Sequence, residues 1–136
     1  YRSVYLPMLR DAVPESLALF DAADPNLVTG TRESTSVPGQ ALYMMNNPFV
    51  IAQSKAFAQR VFKESQEPRE RVERAYQIAY GRAPSRQELR SAQRYLRAFY
   101  QASDQGKTRR KFGHGRLAFE SFCQSLLASA EFRYIN

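Results

Sequence analysis

Thr35-Ser36-Val37-Pro38-Gly39-Gln40-Ala41-Leu42-Tyr43-Met44-Met45-Asn46-Asn47-Pro48-Phe49-Val50 carries two helix starts placed head to tail. Pro38 suits a first helical turn, where its missing N–H would have no partner anyway, and Ala41, Leu42 and Met45 give the turns that follow an apolar face. Asn46-Asn47-Pro48 must then break the helix, because proline lacks the donor and disfavours helical geometry at the residue before it. Asn47 becomes an N-cap and Pro48 the first residue of a new helix. Leu42, Met45 and Phe49 are expected to pack.

The same punctuation continues in both directions. Toward the N-terminus, Pro14 opens a short helix with Leu17, Ala18 and Phe20, ending near Asp24-Pro25. The polar stretch from there to Ser36, rich in Thr, Ser and Asn, reads as a long loop. Toward the C-terminus, Val50, Phe57, Ala58, Val61 and Phe62 form a helical stripe as far as about Ser65. Pro68 restarts the pattern with Val72, Ala75, Tyr76 and Ala79, and Gly81 offers a left-handed cap. Ser85 and Glu88 make a capping box for a fifth helix, whose inner face is Leu89, Ala92, Leu96, Phe99 and Tyr100. A sixth carries Phe119, Phe122, Cys123, Leu126, Leu127 and Ala130. No stretch alternates with period two. The expected fold is all-α: a bundle of about six helices with a long polar loop near residues 24–36, in a single domain spanning residues 1–136.

A chain of 136 residues suits one core, and no apolar run approaches the ~20 residues that span a bilayer. One cysteine, Cys123, and one histidine, His114, exclude an internal disulfide and a Cys/His zinc set. The start at Tyr1 suggests a piece of a larger protein.

The net charge of +7 is unevenly spread. Residues 1–68 hold six Lys or Arg against seven Asp or Glu, whereas residues 69–136 hold fourteen against six. Arg86, Arg90, Arg94 and Arg97 fall within an ~80° sector of the fifth helix, roughly opposite its apolar face. With Lys107, Arg109, Arg110 and Lys111 in the following loop they form a candidate polyanion site, because guanidinium forks pair well with phosphate and sulfate oxygens. The ordinary alternative is a solvated helix face. Nucleic acid is disfavoured: only Gln87 would reach base edges, and Phe112 is the loop's lone stacking ring.

Catalytic and metal-binding patterns are missing from the sequence. Asp21, Asp24 and Asn26 do not have the spacing of a twelve-residue calcium loop. Asp24, Asn26, Arg32 and Glu33 form at most a loop site completed by other domains.

Arg2-Ser3-Val4-Tyr5-Leu6-Pro7, Leu19-Phe20-Asp21-Ala22-Ala23-Asp24-Pro25, Val37-Pro38-Gly39-Gln40-Ala41-Leu42, Asn46-Asn47-Pro48-Phe49-Val50, Ala79-Tyr80-Gly81-Arg82-Ala83-Pro84 and Ser129-Ala130-Glu131-Phe132 occur in that order. Together they resemble the planctomycete secreted domain, a family of unknown function, over nearly the whole chain. The resemblance implies an extracytoplasmic, C-terminal module of a larger exported protein, with no family catalytic residue to carry over. Any haem would belong to another domain, since no Cys-x-x-Cys-His is present and no cofactor is expected in this chain. The expected role is a binding or scaffold module whose partners are other domains of the same protein and an acidic polysaccharide or acidic protein surface. The alternative is an accessory domain of an extracytoplasmic enzyme or redox protein, with the catalytic or haem domain lying elsewhere.

Overall fold

A computed structural model describes residues 13–20, 38–104 and 114–133. Among them are seven helices and no strand: α1 (Glu15–Leu19), α2 (Pro38–Asn46), α3 (Pro48–Glu64), α4 (Pro68–Tyr80), α5 (Arg86–Asp104), α6 (His114–Ala128) and α7 (Ala130–Arg133). The all-α expectation holds. The loop expected near residues 24–36 lies outside the described residues.

The chain divides into two compact units, Tyr1–Tyr43 and Met44–Asn136. In the first, α1 meets the start of α2. Gln40 is buried and donates from Nε2 to the Leu19 carbonyl at 3.0 Å, while the Phe20 and Tyr43 rings meet edge to face at 5.6 Å. A Cβ on Gly39 would stand 3.2 Å from Leu19 Cδ1, so this approach favours the smallest residue.

The second unit is built on α6, which packs against α3, α4 and α5. Asn47 caps α3 as expected, its Oδ1 accepting the Phe49 N–H at 2.9 Å with Pro48 behind it. Val50, Ser54, Ala58 and Val61 then bury one stripe of that helix. Ser54 is tolerated there because its hydroxyl donates to the Ile51 carbonyl at 2.8 Å. Ala58, Val61, Val72 and Ala75 are fully buried around Tyr76, Phe119, Phe122, Cys123 and Leu126. The small side chains let the helices approach, and the Phe62–Phe119 and Phe119–Phe122 pairs, 5.2 and 5.6 Å between centroids, fill the space between them.

Two expectations need correction. Leu42, Met45 and Phe49 do not pack inside: they are 60%, 61% and 66% exposed, because the residue that α2 buries is Gln40 and the stripe of α3 starts at Val50. The sixth helix is broken at Ser129. Its hydroxyl accepts the Phe132 N–H at 3.1 Å and the Tyr80 hydroxyl at 2.9 Å, so Ser129 ends α6 and caps α7.

Gly81 takes the expected left-handed conformation, φ 71°, and its N–H closes α4 on the Gln77 carbonyl. The chain leaves this cap with Arg82 facing two carboxylates. Nη1 and Nη2 of Arg82 donate to Glu88 at 3.0 and 2.8 Å, and Nε and Nη2 donate to Glu131 at 2.6 and 2.8 Å. The guanidinium carbon lies 5.6 Å from both the Tyr76 and Tyr80 ring centroids. Glu88 also completes the capping box of α5, accepting the Ser85 N–H at 2.7 Å, while Ser85 Oγ accepts the Glu88 N–H at 3.2 Å.

The hydrogen bonds from Arg82 hold the Glu88 carboxyl down at about 2, from an ordinary 4.5; burial opposes this and the Ser85 bonds add to it. An acid depressed by folding contributes stability that is complete above the unfolded value and is lost as pH falls through the folded one. Glu88→Gln, which keeps an oxygen to accept the Ser85 N–H, is therefore expected to lower stability by about 1 kcal/mol near neutral pH through loss of the partly exposed ion pair. In urea denaturation the gap from wild type should narrow from about pH 4.5 down toward pH 2; a gap independent of pH would contradict the assignment. Gly81→Ala, forced into a left-handed conformation, should cost about 1 kcal/mol, visible as a lowered Tm, with Gly81→Asn costing less.

Candidate anion-binding site

The 19-residue α5 owes its start to the capping box and its orientation to its apolar face. Ala92 is buried, and Leu89 and Leu96 are half-buried against the core. Tyr100, expected on the inner face, is 48% exposed at its margin. Arg86, Arg90, Arg94 and Arg97 stand on the other side, all exposed.

These four differ from five other arginines in their pairing. Arg60 and Arg74 share Glu64, Arg69 holds Glu73, Arg82 bridges Glu88 and Glu131, and Arg116 holds Glu120. The two hydrogen bonds on Glu64, from Arg60 first and then Arg74, lower its pKa below the ordinary carboxylate value. None of the four stripe arginines has a carboxylate partner among the described residues. The one carboxylate with a described side chain on α5, Glu88, is turned away to Arg82.

Arg97 also borders a groove of about 850 Å³ between α3, α4, α5 and α6. Lys63, Arg71 and Arg116 share its wall with Arg97, and Phe62, Leu96 and Phe119 form its apolar part. Arg71 lies over the Phe62 ring, 4.4 Å from the centroid, while its Nε donates to the Ser65 carbonyl at 3.1 Å. Arg116 belongs to the first turn of α6, which begins at His114. A Cβ on Gly115 would fall on the Tyr100 hydroxyl, the far end of a half-exposed side chain that a larger residue would push aside.

Sequence reasoning found Arg97 and missed Lys63 and Arg71. Both lie on other helices, and their only signal was that each stands beside an apolar core position, Lys63 after Phe62 and Arg71 before Val72. Lys107, Arg109, Arg110 and Lys111 lie outside the described residues, as do Asp24, Asn26, Arg32 and Glu33. Among the described residues no three His, Cys, Asp or Glu side chains gather as a metal set, and no helix is long and apolar enough to cross a membrane.

Cys123 is fully buried in the α6 face, and burial pushes its thiol pKa up, so the nucleophilic thiolate is suppressed. A thiol-specific disulfide reagent is expected to modify Cys123 only under denaturing conditions; rapid stoichiometric reaction of the native chain, followed by absorbance, would contradict this.

The family model described as PSD1, Protein of unknown function (DUF1553), matches residues 1–96. The match runs from the N-terminus to Leu96 of α5, and the Ser129-Ala130-Glu131-Phe132 stretch lies beyond it. No curated protein and no solved structure matches the chain significantly. With seven-tenths of its length matched by that model, the chain belongs to the PSD1 (DUF1553) family of proteins of unknown function.

Proposed function

We propose that this chain is a non-catalytic binding module that holds an acidic polymer, such as a sulfated or uronic-acid polysaccharide, on the outer face of α5. The supporting observation is the contrast in pairing: five other arginines of this unit have internal carboxylate partners, and Arg86, Arg90, Arg94 and Arg97 have none among the described residues. Four like charges on one helix face repel one another, so a ligand that supplies oxyanions along the helix relieves that repulsion. The spacing favours a repeating polymer. Successive turns of a helix rise by about 5.4 Å, close to the length of a sugar residue, so guanidinium groups one turn apart can address neighbouring acidic units. Lys107, Arg109, Arg110 and Lys111, which follow α5 in sequence, extend the basic character in the same direction along the chain. The module would act beside other domains of an exported protein, and the binding requires no cofactor.

Heparin serves as the test polymer. Binding measured by calorimetry should weaken on the order of a hundredfold between about 50 and about 200 mM salt if four contacts each release about 0.9 of a counterion. The variant Arg86→Gln/Arg90→Gln/Arg94→Gln/Arg97→Gln should lose that binding while keeping its Tm, because all four side chains are exposed. Unchanged affinity in the variant, or no binding by the wild type, would overturn the proposal.

A further inference from the structure

We infer that the groove between α3, α4, α5 and α6 is a second site, one that takes a small aromatic anion: a flat apolar body bearing a sulfonate, sulfate, phosphate or carboxylate. Its volume, about 850 Å³, lies within the range typical of small-molecule sites. Its lining joins two properties that the outer face of α5 does not combine. Phe62 and Leu96, both half-buried, present apolar surface beside the buried Phe119, and Lys63, Arg71, Arg97 and Arg116 supply positive charge with no carboxylate among the lining residues.

The four cations are not equivalent. Arg116 is shared with Glu120 at 3.0 Å, and Arg71 is anchored to the Ser65 carbonyl and stacked on Phe62. Lys63 and Arg97 have no carboxylate partner among the described residues, stand on different helices, α3 and α5, and both line the groove. They are the heads to which an anion would bind. Burying such a charge against apolar walls is favourable only where it is paired, and these side chains supply the pairing.

The preference for an aromatic body follows from the surfaces on offer. The Arg71 guanidinium lies over the half-buried Phe62 ring, 4.4 Å from its centroid, so its outer plane offers a flat surface to the groove. Aromatic rings and guanidinium groups favour planar partners through offset stacking and edge contacts. Gln59 and Gln93 add neutral amides at the margin, able to bond to an oxyanion without repelling it. An acidic polymer needs no apolar body, so this site stands independently of the polymer face, and the two share only Arg97.

Anilinonaphthalene sulfonate is the probe, with uncharged phenylnaphthylamine as its neutral counterpart, both titrated by fluorescence against the native chain. The sulfonate is expected to bind saturably, one molecule per chain. In the variant Lys63→Gln/Arg97→Gln its affinity should fall by at least about tenfold, with affinity for the neutral dye changed by less than about twofold. Lys63 and Arg97 are exposed, so the Tm of this variant should match wild type. The variant Arg86→Gln/Arg90→Gln/Arg94→Gln should weaken heparin and leave sulfonate binding intact, which separates failure of one site from failure of the other. Absence of saturable sulfonate binding, equal affinity in the Lys63/Arg97 variant, or parallel loss of both dyes would each overturn the inference.

Discussion

Arg82 ties together the ends of three helices. Gly81 reverses the chain at the end of α4 by adopting a backbone conformation that other residues reach only with strain, and this places Arg82 where its planar fork meets Glu88 at the start of α5 and Glu131 in α7. Each ion pair is partly exposed and contributes little alone. Its importance is geometric: two bidentate contacts from one side chain fix the angle at which α5 leaves the turn, and thus which way its apolar and basic faces point. Lysine, with a single ammonium head, would hold one carboxylate at a time. Tyr80 reinforces the junction from the neighbouring position, donating toward both the Ser129 hydroxyl and the Leu126 carbonyl. Two short stretches far apart in the chain, Tyr80-Gly81-Arg82 and Ser129-Ala130-Glu131, are therefore one structural element.

Much of the architecture was legible because helix termini have local chemistry. Asn47 with Pro48, Gly81, and Ser85 with Glu88 act through neighbours two to four residues away, so their roles can be read without knowing what packs where. The misreadings share the opposite property. Leu42, Met45 and Phe49 are apolar at helical spacing, yet which side of a short helix is buried depends on what lies against it. Gln40 and Ser54 are buried only because distant or helical carbonyls accept their hydrogen bonds. Ser129 separates α6 from α7 with a hydroxyl that takes both the Phe132 N–H and the Tyr80 hydroxyl, the second from another helix. The same division applies to the sites. The arginine stripe belongs to one helix and follows from period alone, whereas the groove brings Lys63, Arg71, Arg97 and Arg116 together from four helices and exists only after packing.

Most arginines of the second unit thus fall into three different uses. Arg60, Arg69, Arg74, Arg82 and Arg116 are consumed by internal carboxylates, Arg71 by an aromatic face and a backbone carbonyl, and the α5 set is left facing outward. Net charge alone would have assigned them all to a ligand. Arg97 stands at the meeting of the stripe and the groove, so a ligand drawing on it in one place reduces what it can offer in the other.

Cys123, the chain's one cysteine, has its sulfur sealed between Phe119, Phe122 and Leu126 on the inner side of α6. A thiol so placed can neither meet a second chain nor be trapped by small disulfides while the helix stays docked. The folded unit is therefore indifferent to the redox potential around it: it needs no oxidant to mature, and it forms no covalent dimer when moved from a reducing compartment to an oxidising one.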